Sequence, residues 1–320
     1  MTLPLPVSFL LLIVGFVLLM KGADIFVDGS SALADKMGIP QIVIGLTIVA
    51  FGTSAPEAAI SITAAVKGSA DLAVSNVVGS NILNVLLILG ISSIIAPLAI
   101  QKNTLKYEIP FVTAVTILLM GLGIWGYSLG RVDGIVFILL MVAFIVYLII
   151  IAKKGNAEND EGAPSKKLPV WLMILYIILG GAGIVGGSQL TVNSATTIAK
   201  YFGMSERLIG LTIVAFGTSL PELITSVTAA AKHKADIAIG NIVGSNIFNI
   251  LFVLGATAII TPVAYSRDFI VDNIMAILTM LLLFFLVLRK KKLTRPGGII
   301  MLLSYVIYFV VFIVLQVKII

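Results

Sequence analysis

The sequence predicts an all-α polytopic membrane protein with ten transmembrane helices in two inverted repeats of five. Hydrophobic residues make up 59% of its 320 positions and charged residues only 11%, whereas a soluble domain is about half apolar and a quarter charged. Apolar runs of the length that a helix needs to cross a ~30 Å hydrocarbon core recur along the chain. The second half of the chain also repeats the first. These three observations exclude an ordinary soluble fold.

The ten predicted spans cover the chain with short polar breaks between them. Helices are expected rather than barrel strands, because the apolar runs do not alternate over about ten residues. The first Lys or Arg is Lys21, so we expect the first run to be a retained span and not a cleaved signal peptide. The predicted spans are 4–34, 40–66, 71–97, 107–126, 133–152, 169–199, 207–231, 236–262, 268–288 and 297–317.

An internal duplication divides the chain. Residues 44–97 and 209–262 align without a gap at an offset of 165, and 34 of the 54 positions are identical. We predict a first five-helix repeat at 1–152, a cytoplasmic linker at 153–168 and a second repeat at 169–320. Because five is odd, the second repeat must enter the membrane from the opposite face. Many secondary transporters have this plan, with the substrate bound near the midplane.

The basic residues predict the orientation. With the ten spans numbered, 14 Lys and Arg residues fall in the loops of one side and six in those of the other. The positive-inside rule makes the richer side cytoplasmic, so both termini are predicted to be extracellular in a multi-pass plasma-membrane protein. The basic residues lie in short loops and not on one domain face, which disfavours nucleic-acid binding. The sequence contains no cysteine, so disulfides and thiolate sites are excluded.

A proline-containing motif lies inside the second predicted span and again inside the seventh. The two copies are GTSAPE at 52–57 and GTSLPE at 217–222. Pro56 cannot donate a hydrogen bond to the carbonyl of Gly52, so the helix should kink or break there. Carbonyls freed at membrane depth need a partner, and a bound cation is one. The motif also supplies hydroxyl oxygens and a carboxylate.

The carboxylates of this motif, Glu57 and Glu222, are predicted to lie deep in the membrane. Glu57 is ~25 Å along its span at 1.5 Å per residue. An ionisable group at such a depth costs at least ~2.5–3.5 kcal/mol on insertion scales and is a functional-site candidate. Two facing carboxylates repel unless they are protonated or hold a cation. The pair therefore predicts an ion site.

A second repeated motif, GSNxxN, lies in the third and eighth predicted spans. Ser80 and Asn84 are four residues apart and share a helical face, as do Ser245 and Asn249. The small residues of the motif allow close helix approach. These hydroxyls and amides are expected to extend an oxygen-lined site without adding charge.

All of the predicted ligands are oxygen atoms. Two bidentate carboxylates supply four, and backbone carbonyls with water bring the number to the six to eight that Ca²⁺ prefers. The same site could also hold Na⁺ ions or protons. Zinc and copper are disfavoured because no soft ligand is present. No resident cofactor is expected, since the ions are the transported substrates.

The paired motifs resemble the two α-repeats of the sodium/calcium exchanger family within the cation/Ca²⁺ antiporter superfamily. This resemblance covers the whole chain as ten spans, and it implies that Glu57 and Glu222 hold Ca²⁺ with the backbone carbonyls of Thr53 and Thr218. Relatives in the potassium-dependent branch place Asp where Asn249 stands, so potassium co-transport is not expected. The resemblance also implies flanking sodium sites and neighbouring polar positions, formed by the carbonyls of Ala50 and Ala215, the hydroxyls of Ser54, Ser219, Ser80 and Ser245, and the side chains of Asn84 and Asn249.

We therefore predict a transporter and not an enzyme, exchanging Na⁺ for Ca²⁺ by alternating access. The long first and sixth spans are candidates to slide across the other eight. An H⁺/Ca²⁺ antiporter using the same carboxylates is the nearest alternative, although GTSxPE differs from the GNxxE-type motif of that branch. A passive cation channel and a non-transporting scaffold are the other classes considered. The expected partners are Ca²⁺, Na⁺ and the lipid bilayer, and a monomer is expected.

Overall fold

The computed structural model describes residues 4–67, 71–154, 166, 168–204, 215–266 and 268–314, which are helical apart from short loops and four two-residue strands. The elements of the first half are α1 (Leu5–Met37), α2 (Gln41–Thr53), α3 (Ala55–Val66), α4 (Leu72–Ile95), β1 (Leu98–Ala99), α5 (Thr104–Gly126), β2 (Ser128–Leu129) and α6 (Arg131–Lys154). Those of the second half are α7 (Val170–Tyr201), α8 (Ala215–Thr218), α9 (Leu220–Ala231), α10 (Ala235–Ile260), β3 (Val263–Ala264), α11 (Asp268–Leu288), β4 (Lys292–Leu293) and α12 (Arg295–Tyr308).

Several of these helices are long and apolar enough to cross a membrane. Within the described residues there are seven, or eight when α2 and α3 count as one bent span. The all-α polytopic class is therefore confirmed. The predicted seventh and tenth spans contain the shorter apolar helices α9 and α12, and residues 207–214 of the seventh lie outside the described residues. The count of ten spans stays a prediction.

The predicted break in the second span is present. The axes of α2 and α3 differ by 50°, and the bend lies at Ser54, two residues before Pro56. A proline is tolerated in the first turn of a helix, because its missing N–H has no partner to lose there. The chain therefore starts a new helix just ahead of Pro56 and does not carry the proline in a helix interior.

The two halves form equivalent elements at equivalent positions. Helices α3 and α9 begin and end 165 residues apart, and β1 and β3 do the same. A π-helical turn interrupts α4 at Asn84–Leu89 and α10 at Asn249–Leu254, again at this offset. The repeated sequence thus dictates the same local structure twice, including the irregular turns, which are frequent at functional sites.

The long equivalent helices α1 and α7 pack against each other along glycines. A Cβ at Gly15 would meet Thr191, one at Gly22 would lie 2.8 Å from the nitrogen of Ile184, and one at Gly29 would meet Tyr176. Residues later in α1 contact residues earlier in α7, so the two helices run antiparallel. Small residues let the backbones come this close, as at many membrane helix interfaces.

The four short strands join one half of the chain to the other. Leu98 of β1 pairs with Leu293 of β4, and Leu129 of β2 pairs with Val263 of β3, both antiparallel. Strands β1 and β4 lie in loops assigned to the Lys/Arg-rich side, whereas β2 and β3 lie in loops of the other side. Each pairing therefore connects loops that the charge distribution places on the same face.

The most buried helices are α4 and α10, which lie at the centre of the molecule. In their most apolar stretches 72% and 83% of the residues are buried, compared with 22% in α6 and in α7. The less buried helices expose the large apolar side chains that a bilayer requires. This arrangement puts the two GSNxxN motifs, carried by α4 and α10, in the interior and next to the broken helices.

Candidate cation-binding site

The two motif glutamates occupy equivalent, fully buried positions. Glu57 lies in the first turn of α3 and Glu222 in the first turn of α9, and both have no exposed surface. Ser54 separates α2 from α3, and Ser219 separates α8 from α9 in the same way. A carboxylate in the first turn of a helix is stabilised by the partial positive charge of the helix N-terminus.

Hydrogen bonds cross between the two motifs. The Ser54 hydroxyl donates to Oε1 of Glu222 at 2.9 Å, and the Ser219 hydroxyl donates to Oε1 of Glu57 at 3.4 Å. Each glutamate thus receives a donor from the opposite half of the chain. Such reciprocal contacts are characteristic of a two-fold relation between equivalent segments. They bring both carboxylates into one site.

One oxygen of each glutamate carboxylate has no hydrogen-bond partner. Oε2 of Glu57 and Oε2 of Glu222 are buried and accept no hydrogen bond, and no Lys or Arg of the described residues pairs with either group. A buried unpaired charge is costly. The described residues also contain no group of three or more His, Cys, Asp and Glu able to hold a metal ion. A cation here would therefore combine two carboxylates with neutral oxygen ligands.

The serines of the GSNxxN motifs extend the site. Ser80 of α4 lies 3.5 Å from the Ser219 hydroxyl, which also contacts Glu57. The Ser245 hydroxyl of α10 is fully buried and has no hydrogen-bond partner. Both serines therefore add hydroxyl oxygens to the interior of the molecule, and Ser80 lies within reach of the carboxylate pair through Ser219.

The motif asparagines are buried between α4 and α10. The Nδ2 of Asn84 donates to Oδ1 of Asn246 at 3.0 Å, and that of Asn249 donates to Oδ1 of Asn81 at 3.2 Å. The side-chain oxygens of Asn84 and Asn249 are left without a partner. Together with the two glutamate oxygens and Ser245, they form a set of buried oxygens that are available to a cation.

The remaining predicted ligands lie in the short helices before the break. Thr53 is buried and its hydroxyl donates to Oδ1 of Asn241 at 2.9 Å, while Thr218 is 7% exposed. The Ala50 carbonyl already accepts from the nitrogen of Ser54 at 3.0 Å and from the Thr53 hydroxyl at 3.3 Å. Ala215 begins α8. Hence the hydroxyl of Thr53 is used structurally, leaving its carbonyl as the predicted ligand.

One carbonyl released by a motif proline has a protein partner. Pro221 cannot donate to the carbonyl of Gly217, which instead accepts from the Ser188 hydroxyl of α7 at 2.9 Å. The equivalent position in α1 is Ala23, which has no hydroxyl. The expectation that such a carbonyl needs a partner is met at Gly217 by a neighbouring helix and not by a cation.

Sequence reasoning assigned no role to three asparagines that the structure places beside the predicted ligands. Asn241 is fully buried and joins Thr53 to the Ser226 hydroxyl, at 2.9 Å from each. Asn81 and Asn246 hold the GSNxxN amides. All three recur at the offset of 165, and this periodicity is the signal that could have identified them.

A buried carboxylate also lies outside this site. Glu108, in the π-helical first turn of α5, is 2% exposed, and its Oε1 accepts from the Tyr147 hydroxyl of α6 at 2.5 Å. Its Oε2 has no partner. This pair joins two helices of the first half and contacts none of the predicted ligands.

A cluster of charges, the Lys232 cluster (Asp24, Asp28, Lys166 and Lys232), connects α1 to the end of α9. Lys232 follows α9 directly, and its Nζ lies 2.7 Å from Oδ1 of Asp24 and 2.6 Å from Oδ1 of Asp28. Lys166 pairs with Oδ2 of Asp28 at 2.7 Å. The hydrogen bond and charge of Asp28 hold the pKa of Lys166 above its usual range. Helix α9, which carries Glu222 in its first turn, is therefore tied to α1 at its other end.

The fold and the candidate site define a class of protein: a helical membrane protein with a buried pair of carboxylates between its repeated halves. The family model described as sodium/calcium exchanger protein matches residues 7–150 and 172–314. The chain belongs to this family.

Individual relatives agree with the family assignment. The inner membrane protein YrbG of Escherichia coli is 38% identical over 285 residues, covering 84% of this chain and 86% of YrbG. The sodium/calcium exchanger MaX1 of Methanosarcina acetivorans is 32% identical over 305 residues, covering 82% and 85%. A solved structure of the sodium-calcium exchanger NCX_Mj, soaked with Na⁺ and Sr²⁺, matches with a TM-score of 0.83 and 33% identity over 95% of this chain and 98% of that chain. These similarities support cation/Ca²⁺ antiport and a transporter, not an enzyme.

Proposed function

We propose that the protein exchanges Na⁺ for Ca²⁺ across the membrane by alternating access, with Ca²⁺ held at the midplane between Glu57 and Glu222. The observation that carries this proposal is the buried carboxylate pair, in which each Oε1 accepts from a serine of the opposite half and each Oε2 is unpartnered. Two carboxylates are neutralised by one Ca²⁺ or by two monovalent ions. Ca²⁺ and Na⁺ therefore compete for the same charges, which is the requirement for exchange.

The other ligands proposed for the ions are neutral oxygens. The carbonyls of Thr53 and Thr218 complete the central Ca²⁺ site, as the resemblance to the family implies. The carbonyls of Ala50 and Ala215 and the four serine hydroxyls form flanking Na⁺ positions, and the side chains of Asn84 and Asn249 complete the set of polar groups around the centre. Support comes from the unpartnered oxygens of Asn84, Asn249 and Ser245, since hard cations prefer oxygen ligands.

The proposed architecture has ten spans in two halves of opposite orientation, joined by the cytoplasmic linker. Two observations support it: the equivalent helices α1 and α7 pack antiparallel, and each strand pair joins loops of the same predicted face. Both termini are then extracellular and the protein lies in the plasma membrane. One chain contains both halves of the site, so a monomer suffices for transport.

Alternating access in this proposal depends on α1 and α7 moving as a pair. Their glycine contacts place backbone against backbone, so the pair forms one tightly packed unit. In the described structure α1 packs against α9, whereas the equivalent contact of α7 with α3 is at most marginal. This difference is expected of an inverted-repeat transporter, because its two access states exchange the environments of the two halves.

H⁺/Ca²⁺ exchange is the alternative function. The same unpartnered Oε2 atoms of Glu57 and Glu222 would accept protons as readily as they would contact Na⁺. Only the driving ion distinguishes the two proposals, since the Ca²⁺ site is common to both.

Uptake of radiolabelled Ca²⁺ into proteoliposomes tests the proposal. Vesicles loaded with Na⁺ should take up Ca²⁺, and uptake driven only by a pH gradient would favour the alternative. Glu57→Gln and Glu222→Gln remove one charge each and should reduce exchange to the background of empty vesicles. Glu108→Gln is the matched control, because it alters a buried carboxylate outside the site and should retain exchange. Undiminished uptake by both site variants would refute the site.

A further inference from the structure

The amide groups of four asparagines between α4 and α10 are connected in one network, the asparagine clamp (Asn81, Asn84, Asn246 and Asn249). The Nδ2 of Asn246 donates to the backbone carbonyl of Asn81 at 3.3 Å, and the Nδ2 of Asn81 donates to the backbone carbonyl of Asn246 at 3.3 Å. All four side chains are at most 4% exposed. Water therefore does not compete for their donors.

The backbone carbonyls determine which way each amide points. A carbonyl oxygen only accepts, so Asn246 must turn its amino group toward Asn81 and its oxygen toward Asn84. Facing that oxygen, Asn84 must present its own amino group, as the 3.0 Å bond shows. Its Oδ1 is left buried and unpartnered on the other side. The orientation of Asn84 thus follows from the backbone carbonyl of Asn81, on its own helix, through the side chain of Asn246 on α10.

The same sequence of contacts orients Asn249. Asn81 donates to the carbonyl of Asn246, so its Oδ1 faces Asn249 and accepts from the amino group of Asn249 at 3.2 Å. The Oδ1 of Asn249 is again buried without a partner. In both halves, therefore, the amino group is occupied by the clamp and the oxygen remains available.

We propose that Asn81 and Asn246 are positioning residues that force Asn249 and Asn84 to offer oxygen, and not the amino group, to the transported cation. This inference rests on the proposed function. An amide has one end that attracts a cation and one that repels it, so an unrestrained asparagine is an ambiguous ligand. The clamp removes the ambiguity without a formal charge.

Substitution of Asn246 tests the proposal through the ion dependence of exchange. Asn246→Ala releases the amide of Asn84, and we expect the half-saturating ion concentration to rise roughly 10–100-fold, the usual effect of losing a group that orients a metal ligand. The maximal rate should change little. Asn273→Ala is the matched control: Asn273 is fully buried and bonds Tyr265 and Phe269 at 2.8 and 2.9 Å. It should lose stability without shifting ion dependence.

A second substitution separates positioning from a merely structural role. Asp at position 84 has an oxygen at both ends, so Asn84→Asp should restore ion affinity in the Asn246→Ala background. In the intact clamp the same change faces Oδ1 of Asn246, an acceptor that lies 3.0 Å from the present donor, and should weaken ion binding. The double variant should therefore bind better than either single variant. The proposal would be overturned if the loss of ion affinity in the double variant equalled the product of the two single losses. It would also be overturned if Asn273→Ala shifted the ion dependence as much as Asn246→Ala.

Binding is measured separately from transport so that the two proposals can fail independently. The rise in Tm of the purified protein with Ca²⁺ reports binding alone. If the Tm of the wild-type protein rises with Ca²⁺ but neither gradient drives exchange, the proposed function is refuted. The asparagine clamp is then tested by comparing the Ca²⁺-dependent rise in Tm between the wild-type protein and the variants. Wild-type protein without the rise overturns both. If Asn246→Ala does not fold, Asn81→Ala with Asn249→Asp is the equivalent pair.

Discussion

Neutralising Lys232 should loosen the contact between α1 and α9. Its Nζ contacts Oδ1 of Asp24 at 2.7 Å, Oδ1 of Asp28 at 2.6 Å and the backbone carbonyl of Asp24 at 2.7 Å. Lys232→Gln keeps a polar side chain of similar length but removes the charge. Because Lys232 directly follows α9, which carries Glu222 in its first turn, the change acts on the site only through this helix.

The size of the effect follows from exposure. Asp24 is 47% exposed, so its pair with Lys232 contributes only about 0–1 kcal/mol. Asp28 is 11% exposed and Lys232 25%, and a hydrogen bond between charged groups in such a place is worth about 1.5–3 kcal/mol. We take about 2 kcal/mol for the loss. If the contact exists in one access state only, the equilibrium shifts roughly 30-fold at 1.36 kcal/mol per factor of ten.

The equivalent position in the first half lacks this contact. Lys67 also follows its helix, yet it is exposed and forms no ion pair with the described residues. Gln189 and Asn193 of α7 stand where α1 has Asp24 and Asp28. The Lys232 cluster therefore stabilises the packing of α1 against α9, and the described residues contain no counterpart of it between α7 and α3.

Thiol labelling measures the shift. The chain has no cysteine, so Ser31→Cys introduces a single thiol on the helical face of Asp24 and Asp28, where Ser31 is 2% exposed. Its reaction with maleimide should accelerate up to roughly 30-fold in Lys232→Gln, in proportion to the population of the open state. Loss of a nearby cation disfavours the thiolate, so thiol chemistry cannot cause an acceleration. Unchanged labelling, or an equal effect of Lys67→Gln, would contradict the reasoning.

Two further substitutions test the packing and the buried acid outside the site. Gly22→Val should separate α1 from α7 and abolish exchange, since its Cβ would lie 2.8 Å from the nitrogen of Ile184. The control Gly186→Ala should retain exchange, because no atom lies within 4 Å of its Cβ. Equal transport by the two variants would refute the packing argument. Glu108→Leu should lower the free energy of unfolding by about 1–3 kcal/mol, because it leaves the Tyr147 hydroxyl without its acceptor. Glu108→Gln keeps an acceptor and should change Tm little. Thermal unfolding in detergent compares the two variants, and equal losses of stability would show that the hydrogen bond is unimportant.

Much of the fold could be predicted because it depends on local chemistry. Apolar runs long enough to cross a bilayer predict helices, and the missing N–H of Pro56 predicts the break that the structure places at Ser54. The duplication was visible as identical residues at one offset, and the structure forms the same elements at that offset, down to the π-helical turns. The described residues contain seven or eight helices long enough to span a membrane, because α9 and α12 are shorter.

The sequence alone determined that this is a membrane protein built of helices, that it contains one unit twice, and that the two motif carboxylates, Glu57 and Glu222, lie in its interior. Each of these follows from composition, periodicity or the covalent properties of single residues. Only the tertiary structure decided which groups meet: Ser54 with Glu222, 168 residues away, Asn84 with Asn246, and Lys232 with Asp28, 204 residues away. Local patterns cannot encode such pairs, because they arise only when separate helices pack and a buried donor must find the nearest acceptor.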